Sequence, residues 1–343
     1  VPEELRDMTW QTQLKGDSVS WLLEKDDPGA RYLALRDLKD LSADDRELRA
    51  ARKAAHRHGP LAAILNVMED EGYWFKAGPG YSPKYRGTVW SMLLLAQLGA
   101  SVEEDPRVQR ACAYLLDNNL CQGGQFSTST AAVGTIDCLQ GNLCWALREM
   151  GCDDSRLKQA FEWMARSVTG EGVAPLTDEQ AAVRYYAYKC GPNFACGVNG
   201  QRPCAWGAVK VMLAFSAMPV KQRTPLMKRA IKQGVEFLFS VDPAKAAYPT
   251  RNDAKPDRRW WKFGFPVFYV ADLLQNVEAL AALGYGRNKR LANALALIRD
   301  KQDEYGRWPL ELDYQTWVNF GPKRQSNKWV TLRALRALKA ALN

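Results

Sequence analysis

Gln302-Asp303-Glu304-Tyr305-Gly306-Arg307-Trp308 ends one amphipathic segment and precedes another, and it has the form Gln-x-x-x-Gly-x-Trp. Glycine permits a tight reversal after a helix, and the aromatic ring can pack back across helix ends. Two weaker copies stand earlier, in Glu69-Asp70-Glu71-Gly72-Tyr73-Trp74 and in Asn119 to Phe126, where Gly124 precedes Gln125-Phe126. Each copy follows a mixed helical segment and precedes a more apolar one. A turn that recurs at the same place in a longer pattern marks an internal repeat.

Outward from these turns the chain shows helical periodicity and almost no strand alternation, as in Leu273, Leu274, Val277, Leu280 and Leu283. Six apolar segments emerge: Pro28 to Leu38, Lys84 to Leu98, Cys138 to Met150, Cys204 to Met218, Phe265 to Leu283 and Lys328 to Leu338. They start at intervals of roughly 50 to 65 residues, one helical hairpin plus a loop. Mixed helices lie between them at Pro106 to Asp117, Ser155 to Ser167, Thr224 to Ser240 and Asn288 to Gln302, with Asp105 placed to cap the first of these. The expected fold is all-α: one (α/α)6 toroid over residues 1–343, with about twelve helices, apolar helices inside, mixed helices outside, and irregular insertions. Its site is expected where the starts of the inner helices converge.

Composition agrees with a folded globular chain: 47% hydrophobic and 25% charged over 343 residues. No apolar run reaches the roughly 20 residues of a membrane-spanning helix. The start Val1-Pro2-Glu3-Glu4 has no signal-peptide pattern, so the expected location is cytoplasmic. A net charge of +9 favours anionic partners. The basic residues are scattered, without zinc-finger spacing or an RNA-binding aromatic motif, so nucleic acid is not expected.

The eight cysteines all fall between Cys112 and Cys204. Cys190, Cys196 and Cys204 share a Gly-rich polar stretch, and Cys138 begins the preceding inner helix. In a toroid, Cys138 and Cys204 stand at equivalent ends of adjacent inner helices, within reach of one ion. Four thiolates would make a closed, structural zinc site, whereas three and a water would be open to catalysis. Unligated thiols or a disulfide are the other readings, and Cys121 is a substitute for Cys190. Cys112, Cys144 and Cys152 read as packing residues.

The repeat and its Gln302/Gly306/Trp308 turn resemble the terpenoid cyclase and protein prenyltransferase β-subunit superfamily. Cys138-Leu139-Gln140-Gly141-Asn142, Cys204-Ala205-Trp206-Gly207, Phe263-Gly264-Phe265-Pro266 and Ser326-Asn327-Lys328-Trp329-Val330-Thr331 look more like an uncharacterised bacterial branch, often labelled prenyltransferase-like. The resemblance spans about residues 20 to 340. It implies a toroid acting on an isoprenoid-like or other hydrophobic small molecule by isomerisation, cyclisation or prenyl transfer. The superfamily's hallmarks are missing: there is no Asp-x-Asp-Asp acid, no Asp-Asp-x-x-Asp magnesium motif, and no histidine beyond His56 and His58. Protein prenyltransferases hold zinc with Asp, Cys and His, and Asp137-Cys138 lacks the residue that separates the first two in their motif. His56 and His58 read as a basic or solvent-facing helix surface.

Candidate groups at the expected mouth are polar and aromatic. Tyr269 and Asp272, three apart on the expected helix, form a proton-handling pair. Arg31, Tyr32, Lys84, Tyr85, Trp90, Asn142, Trp206, Lys210, Lys328 and Trp329 would bind substrate, the lysines and Arg31 clamping an anionic head group and the rings holding its body. Tyr248 to Phe263, and the loop with Glu311, Asp313 and Trp317, read as lids or as surface loops. The alternative reading is a zinc-stabilised toroidal scaffold for a peptide, a lipid or a partner subunit. A β subunit of the prenyltransferase kind would need a separate helical protein partner.

Overall fold

The computed structural model describes residues 9–172 and 189–342. It contains thirteen α-helices among those residues: α1 (Ser18–Leu22), α2 (Pro28–Asp37), α3 (Arg46–Arg57), α4 (Gly59–Leu65), α5 (Thr88–Gln97), α6 (Pro106–Asn119), α7 (Asp137–Glu149), α8 (Arg156–Thr169), α9 (Ala205–Ser216), α10 (Pro225–Leu238), α11 (Leu273–Leu280), α12 (Ala292–Asp300) and α13 (Lys328–Leu342). The one sheet among them is a two-stranded antiparallel pair, β1 (Ala195–Cys196) with β2 (Arg202–Pro203). The all-α toroid read from the sequence is the fold.

The ring follows from which helices touch. α5 packs on α7, α7 on α9, α9 on α11, α11 on α13, and α13 returns to α2. Gly99 just after α5 lies against Leu33 and Tyr32 of α2, which closes the circuit. These six are almost wholly buried, with Thr88 to Ala96 of α5 and Gly207 to Phe215 of α9 apolar all round apart from Thr88, Ser91 and Lys210. The outer helices α3, α6, α8 and α10 carry one apolar stripe each and lie against α2, α5, α7 and α9. Asp105 and Thr224 cap α6 and α10, as expected of residues before a first-turn proline.

The repeated turn does the same mechanical work each time. Gly72, Gly124 and Gly306 have φ of +101°, +91° and +74°. The aromatic two residues later enters the core. Trp74 N–H donates to Thr88 Oγ1 at 3.2 Å and its indole to the Ile64 carbonyl at 2.8 Å. Trp308 does likewise with Thr331 Oγ1 at 2.9 Å and the Ile298 carbonyl at 2.8 Å. Phe126 N–H donates to Gln140 Oε1 at 2.7 Å. Each turn therefore pins the start of an inner helix, and each tryptophan also ties that start to the end of the helix before it, α4 for Trp74 and α12 for Trp308.

Two inner segments begin later than expected. Tyr85 has φ +69° and Gly87 is the N-terminal cap of α5, so Lys84 and Tyr85 sit in a turn before the helix. The stretch from Phe265 to Ala271 is also non-helical, since Gly264 bridges to Leu312 and Pro266 lacks a backbone donor. α11 starts only after Asp272, its cap.

Gly124 and Gly78 separate two costs. Both have positive φ, but a Cβ at Gly124 would stand 2.6 Å from the Gln159 carbonyl oxygen of α8, whereas one at Gly78 meets nothing within 4 Å. Gly78→Ala should cost about 1–2 kcal/mol for the backbone conformation alone. Gly124→Ala should cost a further 1–3 kcal/mol or so from forced separation of the turn and α8, read as the difference between urea unfolding curves.

Candidate functional site

All six inner helices run the same way, so the ring has an N-terminal mouth and a C-terminal end. Seven rings meet at the mouth. Tyr85 lies 4.6 Å from Tyr314, 5.2 Å from Phe268 and 5.4 Å from Trp90, centroid to centroid. Trp90 contacts Tyr81 at 5.0 Å and Tyr269 at 6.2 Å, and Tyr269 reaches Trp206 at 6.3 Å. Trp90 and Phe268 are buried as the floor, while Tyr81, Tyr85, Trp206, Tyr269 and Tyr314 are half-buried. Cations sit on this platform: Lys84 Nζ is 4.9 Å from the Tyr269 ring and Arg259 is 5.0 Å from that of Trp206. Arg86 lies over Trp317 at 5.8 Å. Burial pushes the hydroxyls of Tyr81 and Tyr314 up to about 12, so both stay protonated near neutrality.

Of the expected substrate set, Lys84, Tyr85, Trp90 and Trp206 belong to this platform, and Asn142 supports it by donating to the Phe268 carbonyl at 3.1 Å. The others lie elsewhere. Arg31 bonds the Leu23 carbonyl and Glu47 of α3, on the outside of the ring. Tyr32 is buried under Arg36. Lys328 is held by Glu24 at 2.9 Å and by Asp26, so it is no free anion clamp. Trp329 stacks on Phe265 at 4.8 Å and fills the space over Gly29.

The proton-handling pair is corrected by the geometry. Tyr269 precedes α11 and is hydrogen-bonded to Tyr85, whereas Asp272 faces the ring interior as the cap of α11. Both Asp272 oxygens are taken by Arg333 at 2.8 and 2.9 Å, and one also accepts the Gln275 N–H at 3.0 Å. Arg333 in turn donates to the Gly264 carbonyl at 2.6 Å. Asp272 therefore locks the irregular strand before α11 to α13, its carboxylate held by three hydrogen bonds and one buried ion pair. Beside it, Lys210 is wholly buried and donates to Gln275 Oε1. Burial lowers Lys210 to about 7, partly offset by Asp272. The centre of the ring is thus filled by a hydrogen-bonded polar layer under the aromatic floor.

The four cysteines do come together. Cys204 is the N-terminal cap residue of α9, Cys138 lies in the first turn of α7, and the β1–β2 hairpin folds Cys196 back so that its thiol bonds that of Cys204. Cys190 is near Cys138, Cys196 and Asp137. The Cys196 thiol is lowered to about 6 by the Cys204 hydrogen bond, and burial raises that of Cys138 to about 12. Asp137 is buried among them, and its Oδ2 has no hydrogen-bond donor. All the cysteines are free thiols, and no group of three or more His, Cys, Asp or Glu side chains among the described residues is arranged to hold a metal ion. Cys121 stands apart, donating to the Thr130 carbonyl at 3.7 Å.

Other expectations shift with burial. His56 is not a surface group: it is buried and accepts the Ser101 N–H at Nε2, 3.1 Å away. Trp260 and Trp261 donate to the carbonyls of Pro243 and Ala244, so the Tyr248–Phe263 loop is pinned by its tryptophans and presents Arg259 to the mouth. Glu311 is bound to Lys301 at 2.7 Å and to the Phe263 N–H at 2.8 Å, and Asp313 pairs with Lys323. Sequence reasoning passed over Tyr81, Phe268, Tyr314, Gln275 and Arg333. Arg333 alone carried a signal, as the single charge within the apolar run Trp329 to Leu335.

No protein-family model matches the chain, and no curated protein matches it in sequence. Among solved structures, a protein from Actinoplanes is similar at 15% identity over 92% of this chain and 90% of its own, with a TM-score of 0.43. The type II terpene cyclase MstE from Scytonema is similar at 13% identity over 85% of this chain and 97% of its own, with a TM-score of 0.32. Likeness at this level assigns neither a family nor an activity. No helix among the described residues is long and apolar enough to cross a membrane.

Asp272→Ala should destabilise the protein by about 3–5 kcal/mol, because it strands the Arg333 charge in the ring. The double variant Asp272→Ala/Arg333→Met should regain most of that loss in urea unfolding. A single-variant cost below about 1 kcal/mol would contradict the structural role given to the pair.

Proposed function

We propose that the N-terminal mouth binds a hydrophobic, isoprenoid-like small molecule with an anionic head group, and that the chain is an enzyme acting on it. The observation that carries this reading is the continuous aromatic platform rimmed by Lys84, Arg86 and Arg259. Half-buried rings offer apolar area and π faces to a hydrocarbon body or a developing cation. Lys84 and Arg86 have no carboxylate partner among the described residues and favour a diphosphate or carboxylate at the edge, while Arg259, paired with Asp257 at 2.6 Å, adds its charge only through that pair. With Asp272 engaged by Arg333, a proton donor at this mouth would have to be a tyrosine hydroxyl, Tyr85 or Tyr269, rather than a carboxylic acid.

Tryptophan fluorescence tests the reading with three probes: farnesyl diphosphate, farnesol and inorganic pyrophosphate. The diphosphate should quench saturably, and farnesol and pyrophosphate should each bind at least tenfold more weakly. Trp206→Ala and Arg259→Ala should each cost about tenfold in affinity, near 1.4 kcal/mol. Equal weak quenching by all three probes, unchanged in both variants, would refute it.

A second reading, a zinc-stabilised toroidal binding protein, is favoured by the filled centre and by the gathering of Cys138, Cys190, Cys196 and Cys204 around Asp137. Soft thiolates and a buried carboxylate oxygen without a donor suit zinc chemically, and side-chain rotations would have to bring the sulfurs to about 2.3 Å from the ion. The metal would be structural, cross-linking α7, the hairpin and α9. Elemental analysis of protein purified without chelator should give one zinc per chain, and Cys190→Ser should lower that content. Zinc-free protein whose four thiols alkylate freely, or are paired as disulfides, would exclude it.

A further inference from the structure

The residue between the glycine and the core aromatic differs among the three turns: Tyr73 in the first, Gln125 in the second and Arg307 in the third. Tyr73 packs on the ring of Tyr114 in α6, 5.2 Å between centroids, and Arg307 lies over the ring of Trp21 in α1 at 4.1 Å. The glycine contact marks where each ring stands. Gly72 abuts Arg110, and Tyr114 follows four residues later; Gly306 abuts Gly16, and Trp21 follows five residues later. At both places a flat side chain set on a ring seals the crevice between the turn and its neighbouring helix.

At the second turn the covering side chain is a glutamine. Gly124 abuts Gln159 of α8, and four residues later stands Trp163, the counterpart of Tyr114. Among the described residues Trp163 packs with Cys190, and no other ring and no cation lies on it. Gln125 and Trp163 instead line a cavity of about 500 Å³. That volume lies within the roughly 300–1,000 Å³ of small-molecule sites and far exceeds the roughly 30 Å³ of one water. Gln125 and Trp163 are only 6% and 5% exposed, yet Gln125 Oε1 and Trp163 Nε1 have no hydrogen-bond partner. A buried acceptor and a buried donor left unpaired are costly, and two in one cavity wall call for a common partner. Other polar groups of the wall are engaged: Glu162 pairs with Arg166 at 3.1 Å, Gln159 donates to the Gln122 carbonyl at 2.6 Å, and Cys121 donates to the Thr130 carbonyl at 3.7 Å.

We propose that this crevice between the second turn and α8 is a binding site for a small, flat, neutral amide, a ring that bears a carboxamide or a cyclic amide of the pyrimidine-base kind. Its carbonyl oxygen accepts the Trp163 indole N–H and its amide N–H donates to Gln125 Oε1. Its plane takes the place that Tyr73 and Arg307 hold at the other two turns. An ionised ligand is disfavoured, because the one acid and the one base of the wall already neutralise each other. None of the seven rings of the mouth lines this crevice, so it is a second site.

Ligand-observed NMR titration of the full chain with nicotinamide and with uracil tests this, with nicotinate as the charged control. One saturable site for at least one of the two amides is expected, with nicotinate binding at least tenfold more weakly. Gln125→Leu and Trp163→Phe should each weaken the amide at least threefold. Both remove a polar atom that has no partner in the chain, so both should fold, which circular dichroism checks. Gln125→Tyr supplies the covering ring of the first turn and should abolish binding in a folded chain. Should it unfold the chain, Gln125→Leu and Trp163→Phe carry the test. Trp206→Ala at the mouth should leave the binding unchanged, which separates this site from the proposed substrate site. Saturable binding of neither amide, nicotinate bound as well as nicotinamide, amide binding that survives Gln125→Tyr or is untouched by Gln125→Leu and Trp163→Phe, or its loss in Trp206→Ala would overturn the proposal.

Discussion

At Gly72, Gly124 and Gly306 the chain reverses in the left-handed region, and in each case an added Cβ would run into the backbone of another element. For Gly72 that element is α6 at Arg110, and for Gly124 it is α8 at Gln159, in both cases the next outer helix around the ring. For Gly306 it is Gly16, in the segment leading into α1. The start of the described chain thus stands where a further outer helix would. Gln302 completes the join by accepting the Lys15 N–H at 3.0 Å and donating to the Gln13 carbonyl at 2.9 Å. A close backbone approach that only glycine allows therefore sets the spacing of the outer layer and closes the circle. The aromatics that follow carry that spacing inward by fixing the starts of α5, α7 and α13.

Closure has chemical consequences because it makes the two ends of the ring unlike. Irregular strands before the inner helices deliver aromatics and cations to one end. Converging helix C-termini and a cavity lined by both acidic and basic side chains occupy the other. Between them the Asp272–Arg333 pair and the Lys210–Gln275 bond occupy the axis. The Lys210–Gln275 bond ties α9 to α11 and the Asp272–Arg333 pair ties α11 to α13, so this layer separates the ends while holding these three helices to one another.

Much of this was legible in the residues, and the failures share a cause. The Gly-aromatic turns identified the hairpin repeat because a tight reversal and a large ring have few substitutes. Cys138 and Cys204 were placed correctly as neighbours because equivalent positions in adjacent repeats must be adjacent in a ring. Helix starts at Phe265 and Lys84 were misread because apolar periodicity does not reveal a preceding irregular strand, which is held by tertiary contacts such as Gly264 with Leu312. Asp272, Arg31 and Lys328 were taken as free charges because their partners lie 16 to 304 residues away in sequence. Pairing at such range has no local pattern. The cavity lined by Gln125 and Trp163 was invisible for the same reason.

The central claim is that the aromatic N-terminal mouth is the working face of the ring. Photo-crosslinking with a benzophenone-bearing prenyl diphosphate, followed by peptide mapping, addresses it most directly. The account predicts adducts confined to peptides carrying Tyr81 to Trp90, Trp206, Tyr269 or Tyr314, with labelling suppressed by excess farnesyl diphosphate. Adducts concentrated on peptides carrying Trp145 or Glu278, at the other end of the ring, or labelling that excess ligand does not suppress, would contradict it.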